Sequence, residues 1–261
     1  MTYKAEKIVP YSENAPKHIQ IEKMFDAIAG QYDVLNHLLS FGIDRYWRKK
    51  GILSLKSLHP RKIADIATGT GDLALQAYRL LQPQAIVAVD ISEEMMQIGR
   101  KKTAELGLSG VITFEKHDCR QLAMETGSFD AAMAAFGVRN FGDLDKSLQE
   151  ILRVLRPGGK LMILELSSPE YFPMKQLYRL YSQTIIPFVG RMVSKNKTAY
   201  TYLPRSVAAF PQNKEMQAIL EKNGFRNVRY QTLTWGICTM YIGEKSKINL
   251  PSDGCGPSAT V

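Results

Sequence analysis

From Pro60 onward, short apolar runs alternate with longer segments whose apolar positions recur every three to four residues. "KIADIA" (from 62), "AIVAVD" (from 85), "VITFEKHD" (from 111), "FDAAMAAF" (from 129) and "KLMILEL" (from 160) read as strands. Between them, 72–81, "SEEMMQIGRKKTAEL" and "LDKSLQEILRVL" carry the helical period, and Ser92 with Glu94 nearby marks a helix start. Strands alternating with helices of this length predict a doubly wound, mostly parallel sheet. "MKQLYRLYSQTII" (174–186) suits an amphipathic helix, and "NKEMQAILEKNGF" a helix stopped at Gly224. "RNVRYQTLTWGICTMYIGEK" reads as two strands turning near Trp235 and Gly236, an antiparallel hairpin at the sheet edge. That completes seven strands in an α/β fold.

The segment 21–56 has mixed helical spacing and predicts N-terminal helices. Residues 1–20 are polar, contain Pro10 and Pro16, and read as an arm; the Gly/Pro/Ser-containing tail 246–261 reads as disordered. The expected organisation is one domain over 21–245, with a helical cap at 21–56 and a lid or membrane-facing insert at 170–210.

Composition changes this picture only in places. The chain has 261 residues, is 45% hydrophobic and 23% charged, and fits a single large domain. No apolar run approaches the ~20 residues needed to span a bilayer, and the start carries no secretory or transit signal, so a cytoplasmic location is expected. Cys119, Cys238 and Cys255 stand far apart without a CxxC pair, which argues for reduced thiols and against a metal site. The net charge of +9 is concentrated: residues 171–250 hold 12 Lys/Arg against Glu215, Glu221 and Glu244. A basic third suits a solvated surface, an anionic membrane or a nucleic acid. Against nucleic acid, there is no RNP-like aromatic motif, zinc spacing or Lys/Arg-rich run.

The first specific stretch is "DIATGTGDLALQA" (65–77), a strand, a glycine-rich turn and a helix start. Gly69, Gly71 and Ala74 satisfy the G-x-G-x-x-G/A spacing of nucleotide-binding turns, and Asp90 ends the next strand, where it can meet a ribose diol. Glycines in such turns also serve purely steric needs. Asp65 ahead of the turn and Asp72 within it would repel a pyrophosphate, yet Asp65 suits a sulfonium or α-amino group. Asp118, ending the third strand in "HDCRQL", can meet an adenine amino group. Together the acids favour a cationic adenosyl ligand without phosphate.

These stretches resemble the successive motifs of the class I S-adenosylmethionine-dependent methyltransferases. More narrowly, "MFDAIAGQYDVLNHLLSFGIDRYWRK", "FGVRNFGDLDKSLQEILRVLRPGGKLMILELSSP" and "YLPRSVAAFP" resemble the quinone-biosynthesis C-methyltransferases acting on demethylmenaquinol and its benzoquinol counterparts. The resemblance runs over roughly 20–245. It implies the Rossmann-like class I methyltransferase fold, S-adenosylmethionine as cofactor, and a prenylated demethylmenaquinol as substrate. It implies that Gly69, Thr70, Gly71, Asp90, Asp118 and Cys119 fall on cofactor-contacting positions, with Asp65 beside them. Thr68 stands where the family has glycine, and Ala135 where some members have serine. A benzoquinol or another lipid remains the alternative acceptor, and a homodimer is left open.

Methylating a ring carbon requires the quinol, because the oxidised ring is electrophilic there. Loss of a hydroxyl proton makes the neighbouring carbon nucleophilic, which calls for a base or for a cation stabilising the phenolate. Arg139, in a loop after a strand end, is the candidate catalytic cation; its plain alternative is a salt bridge to Asp143 or Asp145. Asn140 can fix Arg139, touch cofactor or cap a helix. Tyr32 and Asp33, in the N-terminal motif, can line the acceptor pocket. Tyr178, Tyr181 and Phe188 can floor a prenyl tunnel. His117 reads as a packed or edge histidine rather than a base. The apolar stripe of 174–197, with Lys175, Arg179, Arg191, Lys195 and Lys197, suits contact with anionic lipid at the inner membrane face.

Overall fold

The computed structural model describes residues 2–185 and 197–247. The predicted alternation becomes a seven-stranded sheet in the order β3-β2-β1-β4-β5-β7-β6. Its strands are β1 (Lys62–Ile66), β2 (Ala85–Asp90), β3 (Ile112–Lys116), β4 (Phe129–Ala135), β5 (Leu155–Leu166), β6 (Arg226–Leu233) and β7 (Cys238–Glu244). β1 to β5 pair in parallel; β7 runs antiparallel between β5 and β6. The C-terminal hairpin therefore enters the sheet through its second strand, which lies inside while β6 takes the edge.

The helices are α1 (Lys17–Leu39), α2 (Ile43–Leu53), α3 (Asp72–Leu81), α4 (Glu93–Glu105), α5 (Leu144–Val154), α6 (Met174–Leu180), α7 (Lys197–Ala209) and α8 (Lys214–Lys222). Two starts are capped as the side chains dictate. Ser92 accepts from the Met95 N–H at 3.3 Å, and Asp143 accepts from Lys146 at 2.9 Å. Asp143, not Asn140, is thus the cap of α5. The chain turns from α1 into α2 through Gly42 (φ +73°).

Both sheet faces are covered. Ile63, Ile86, Met133 and Leu164 pack under α2 and α3, while Ala64, Ala132, Ala134 and Ile163 pack under α5 and α8. Burial on both sides is why β4 reads as a nearly continuous apolar run, interrupted only by Asp130, rather than an alternation. A third cluster joins Ile21, Met24, Ile28 and Leu35 of α1 to Ala199, Tyr200 and Tyr202 of α7, forming a cap.

Two sequence expectations need adjustment. β5 starts at Leu155, so the Arg-Pro-Gly-Gly turn lies within it as a register irregularity opposite Phe129 and Ala131. The N-terminal arm is not a free appendage. Lys4–Lys7 forms a 3-10 turn, Ala5 is buried in the core beside α5, and α1 begins at Lys17. Phe188, Arg191, Lys195 and most of the tail lie outside the described residues, and no helix among those described is long and apolar enough to cross a membrane.

Candidate functional site

Strand order reverses between β1 and β4, so the loops leaving their C-terminal ends part and leave a crevice. The two loops touch at one point: a Cβ on Gly137 would come within 2.5 Å of the Ala67 Cβ. The β1 loop also needs Gly71, whose φ is +78° and where a Cβ would sit 2.9 Å from the Phe114 ring. Thr68 is absent from the positive-φ positions, so the threonine at that point costs no backbone strain; Ala67, at φ +54°, makes the turn instead.

Two cavities occupy the crevice. The first, about 690 Å³, is lined by Gly69, Asp90, Asp118, Cys119 and Asn140, with Ile91 and Met95 supplying apolar walls. Asp90 accepts from the Gly69 N–H at 2.8 Å and from the Ser92 N–H at 2.9 Å, one bond on each oxygen. Burial raises its carboxyl, opposed by those N–H groups. Asp118 is gripped by Arg120, Nη2 to Oδ2 at 2.6 Å. Although burial works the other way, that guanidinium holds the carboxyl below the usual range. Burial pushes the Cys119 thiol up to about 12. Its sulfur lies in the cavity wall, 3.3 Å from the Ser147 hydroxyl.

Asp65, Thr70 and Gly71 do not line that cavity; they build the loop under it. Asp65 is buried in β1, with Oδ2 accepting from the Thr68 hydroxyl at 2.6 Å and Oδ1 without a partner. Burial, with Asp90 adding to it, pushes its carboxyl up to about 7. Thr70 donates to Asp33 at 2.6 Å, and Lys102 bridges Asp33 and Asp72 at 2.6 and 2.7 Å. Asp33 is thus a loop support, remote from an acceptor role. His117 pairs with Glu115 at 3.0 Å and reaches the cavity rim.

The first cavity has three acids in or beneath it and no Lys or Arg among its lining residues. A pyrophosphate would meet the Asp90 and Asp118 carboxylates with no Lys or Arg in the lining to offset them. A cationic adenosyl ligand would instead be favoured by those carboxylates, with Asp90 offering acceptors for a diol. The residues therefore fit S-adenosylmethionine and not a dinucleotide.

The second cavity, about 970 Å³, differs in character. Arg139 and Arg48 line it with Trp47, Tyr178, Tyr181 and Tyr202. The two cavities share Phe25, Tyr32 and Phe136, so they meet there. Arg139 is 7% exposed and does not pair with Asp143 or Asp145, as its plain alternative had it. Its partner is Glu165 at the end of β5, Nη1 to Oε1 at 2.7 Å, and it also donates to the Phe136 carbonyl. Its Nε has no partner. Against burial, Glu165 holds the guanidinium above its ordinary range, so Arg139 is a fixed cation.

Asn140 lines the cofactor cavity rather than the acceptor side, with Oδ1 taking the Tyr202 hydroxyl at 3.0 Å. Tyr178 and Tyr181 line the acceptor cavity. Tyr181 donates to the Leu39 carbonyl at 2.5 Å, and burial pushes the Tyr178 phenol up to about 12. Glu165, Arg48, Phe136 and Tyr202 went unnoticed in the sequence, although each lies in or beside a stretch quoted for the resemblance. A carboxylate ending a parallel strand was the available signal for Glu165.

Comparison with known proteins agrees with this geometry. The sequence profile of the ubiE/COQ5 methyltransferase family matches residues 13–245. The demethylmenaquinone methyltransferase of Bacteroides fragilis is 50% identical over 245 residues, covering 94% of this chain and all of that protein. That of Porphyromonas gingivalis is 46% identical, covering 92% and 98%. Among solved structures, a SAM-dependent methyltransferase from Thermotoga maritima superposes with a TM-score of 0.59 at 20% identity, over 86% of this chain and 99% of that one. Phosphoethanolamine N-methyltransferase 2 of Haemonchus contortus, solved with S-adenosyl-L-methionine, gives 0.56 at 16%, over 76% and 52%. The distant structures establish the fold. The close relatives and the profile establish more: this chain belongs to the ubiE/COQ5 methyltransferase family.

Proposed function

We propose that this protein methylates a ring carbon of demethylmenaquinol, using S-adenosylmethionine, to give menaquinol. The observation that carries the reading is the junction of two cavities of opposite character at Phe25, Tyr32 and Phe136. One is acid-lined and suited to a cationic adenosyl ligand; the other is apolar and aromatic with two buried arginines. The demethylmenaquinone methyltransferases of Bacteroides fragilis and Porphyromonas gingivalis, to which the chain is similar, support the same acceptor.

When bound, S-adenosylmethionine supplies an electrophilic methyl group on a positively charged sulfur. Asp90 and Gly69 would hold the adenosyl end, with Asp65 bracing the loop from beneath through Thr68. Tyr32 and Phe136 line both cavities and would flank the point where methyl donor and acceptor carbon meet, shielding it from water. Arg139 lowers the energy of the phenolate that forms as the acceptor hydroxyl loses its proton, and so raises nucleophilicity at the adjacent carbon. An always-protonated guanidinium does not itself take that proton; the hydroxyl proton leaves to solvent, and the hydrogen on the methylated carbon moves to the oxygen as the ring regains aromaticity, so one proton is released per methyl transferred.

The acceptor's prenyl tail places the protein at a lipid surface. Phe41, whose ring lies against that of the cavity residue Tyr181, is 78% exposed, and Leu38, Phe172, Leu177 and Leu180 are also open to solvent. Lys175 and Arg179, both exposed, stand among them on α6. This mixture suits transient, peripheral contact with an anionic bilayer.

The test is direct. Purified protein is mixed with methyl-deuterated S-adenosylmethionine and a short-chain demethylmenaquinol kept reduced by dithionite, and the product is read by mass spectrometry. A labelled methyl on the naphthoquinol ring is expected. Turnover of the matching benzoquinol alone would replace the acceptor, and no turnover of either would refute the reading.

A further inference from the structure

The acceptor cavity holds a second buried cation that phenolate stabilisation does not use. Arg48, on α2, is 7% exposed and pairs with Asp44 one turn earlier through Nη1. Asp44 is further held by the Ser40 hydroxyl, which donates to it at 2.6 Å, and by contact with His37 Nδ1 at 2.9 Å. Arg48 therefore sits in a prebuilt cradle that fixes its direction. Among the described residues its other guanidinium nitrogens make no hydrogen bond, and none of them is a fully buried orphan. Its remaining N–H groups are open to the cavity that the residue lines.

Arg48 and Arg139 both bear on Phe136. Arg139 donates to the Phe136 carbonyl, while the Arg48 guanidinium lies over the Phe136 ring, 5.4 Å from its centroid. Phe136 holds a left-handed φ of +62°, unusual for a bulky side chain, so this double grip maintains a strained residue at the junction of the cavities. The two cations reach the cavity from different elements, α2 and the β4 loop. A cavity with two donor-only side chains, each paired with its own acid (Asp44 within the lining, Glu165 outside it), is complementary to a ligand with two acceptor oxygens on one rigid ring.

A para-quinol is such a ligand. One oxygen adjoins the carbon that gains the methyl group, and its developing charge is matched by Arg139. The other stays a neutral hydroxyl throughout. We infer that Arg48 donates a hydrogen bond to this distal ring oxygen and makes the enzyme specific for a 1,4-diol over a ring with a single hydroxyl. The inference rests on the quinol reading above. The bond is present equally in the ground and transition states, so Arg48 contributes to acceptor affinity and orientation. It governs KM, where Arg139 governs kcat.

The experiment is a cycle of two variants and two acceptors. The acceptors are a short-chain demethylmenaquinol and the prenylated 1-naphthol that keeps the hydroxyl beside the reacting carbon and lacks the distal one. The wild type is expected to show a KM for the mono-ol about tenfold or more above that for the diol, as loss of a charge-assisted bond dictates. Arg48→Met is combined with Asp44→Asn so that no lone carboxylate is left buried. This pair should raise the diol KM by the same factor, barely change the mono-ol KM, and so abolish the preference. Arg48→Lys, which keeps the charge, should retain part of it. Quenching of tryptophan fluorescence by the reduced acceptors gives the same comparison without turnover, since Trp47 lines the cavity. A merely structural Arg48 would weaken both acceptors alike and leave their ratio at the wild-type value; that ratio surviving in either variant overturns the inference. If the wild type methylates neither acceptor, the function itself is refuted, an outcome distinct from an unchanged ratio.

Discussion

Glu165 holds Arg139 twice. Its Oε1 accepts from the guanidinium at 2.7 Å, and its Oε2 accepts from the backbone N–H of the same arginine at 3.1 Å. Side chain and main chain are thus fixed by one carboxylate that is 1% exposed. The cation cannot swing away from the acceptor cavity without breaking a buried pair.

Arg139→Ala should lower kcat by about 10²-fold or more, the scale of losing an oxyanion-stabilising donor, with little change in affinity for S-adenosylhomocysteine. The variant should regain part of its rate at high pH, where the quinol ionises unaided, and Arg139→Lys should recover only in part. Profiles of kcat against pH for the three proteins check this. A near-normal kcat in Arg139→Ala would make the arginine structural.

Glu165→Ala leaves Arg139 buried without its counter-charge. We expect a loss of about 3–5 kcal/mol of stability, as for other broken buried pairs, read from urea unfolding. A loss below 1 kcal/mol would mean that solvent reaches the guanidinium.

Asp90→Ala should weaken S-adenosylhomocysteine by roughly one to two decades, since it removes charge-assisted bonds of about 1.5–3 kcal/mol and releases the Gly69 N–H. Calorimetry on the folded variant decides it. Unchanged affinity would remove Asp90 from the cofactor site.

Asp65 links pH to stability. Its folded carboxyl keeps a proton up to about pH 7, whereas the unfolded one loses it near 4. The folded state therefore binds the extra proton between these values, and stability falls as pH rises across that window. Asp65→Asn removes the effect. At pH 8 it should be more stable than the ligand-free wild type by a few kcal/mol (~1.4 per unit of separation), with the gain vanishing towards pH 4, while cofactor affinity drops. Urea midpoints against pH measure it, and a pH-independent difference would contradict the assignment.

Lys17 ties the arm to the site, donating to the Ala5 carbonyl at 2.8 Å and the Arg139 carbonyl at 3.2 Å; burial lowers its amine to about 8. Lys17→Met strands two buried carbonyls and should cost about 1–3 kcal/mol. It should also lower kcat, because the Arg139 loop loosens. Activity and melting unaffected together would show the arm to be dispensable.

The strand and helix alternation, the glycine turn, Asp90 at a strand tip and the cap at Ser92 were all legible in the sequence, whereas the cap of α5 fell on Asp143 and not on Asn140. Each is set by residues within a few positions of one another, where backbone sterics and local hydrogen bonds decide the outcome. The acid-rich surroundings of the turn likewise pointed to an adenosyl cation before any packing was known. What the tertiary structure alone decided is pairing across the fold. Arg139 has Asp143 and Asp145 close by in sequence, yet it binds Glu165, 26 residues away, because β4 and β5 are neighbours in the sheet and their ends face one crevice. Asp143 is spent on capping α5, and Asp145 on Lys222, Tyr3 and Asn223. Asp65, placed by its position beside the cofactor, turned out to lie beneath the loop. Arg48 gave no signal at all, since its role depends on α2 covering the sheet face next to Phe136. Charge partners follow distance in space, and in a doubly wound sheet that distance is set by strand order rather than by separation along the chain.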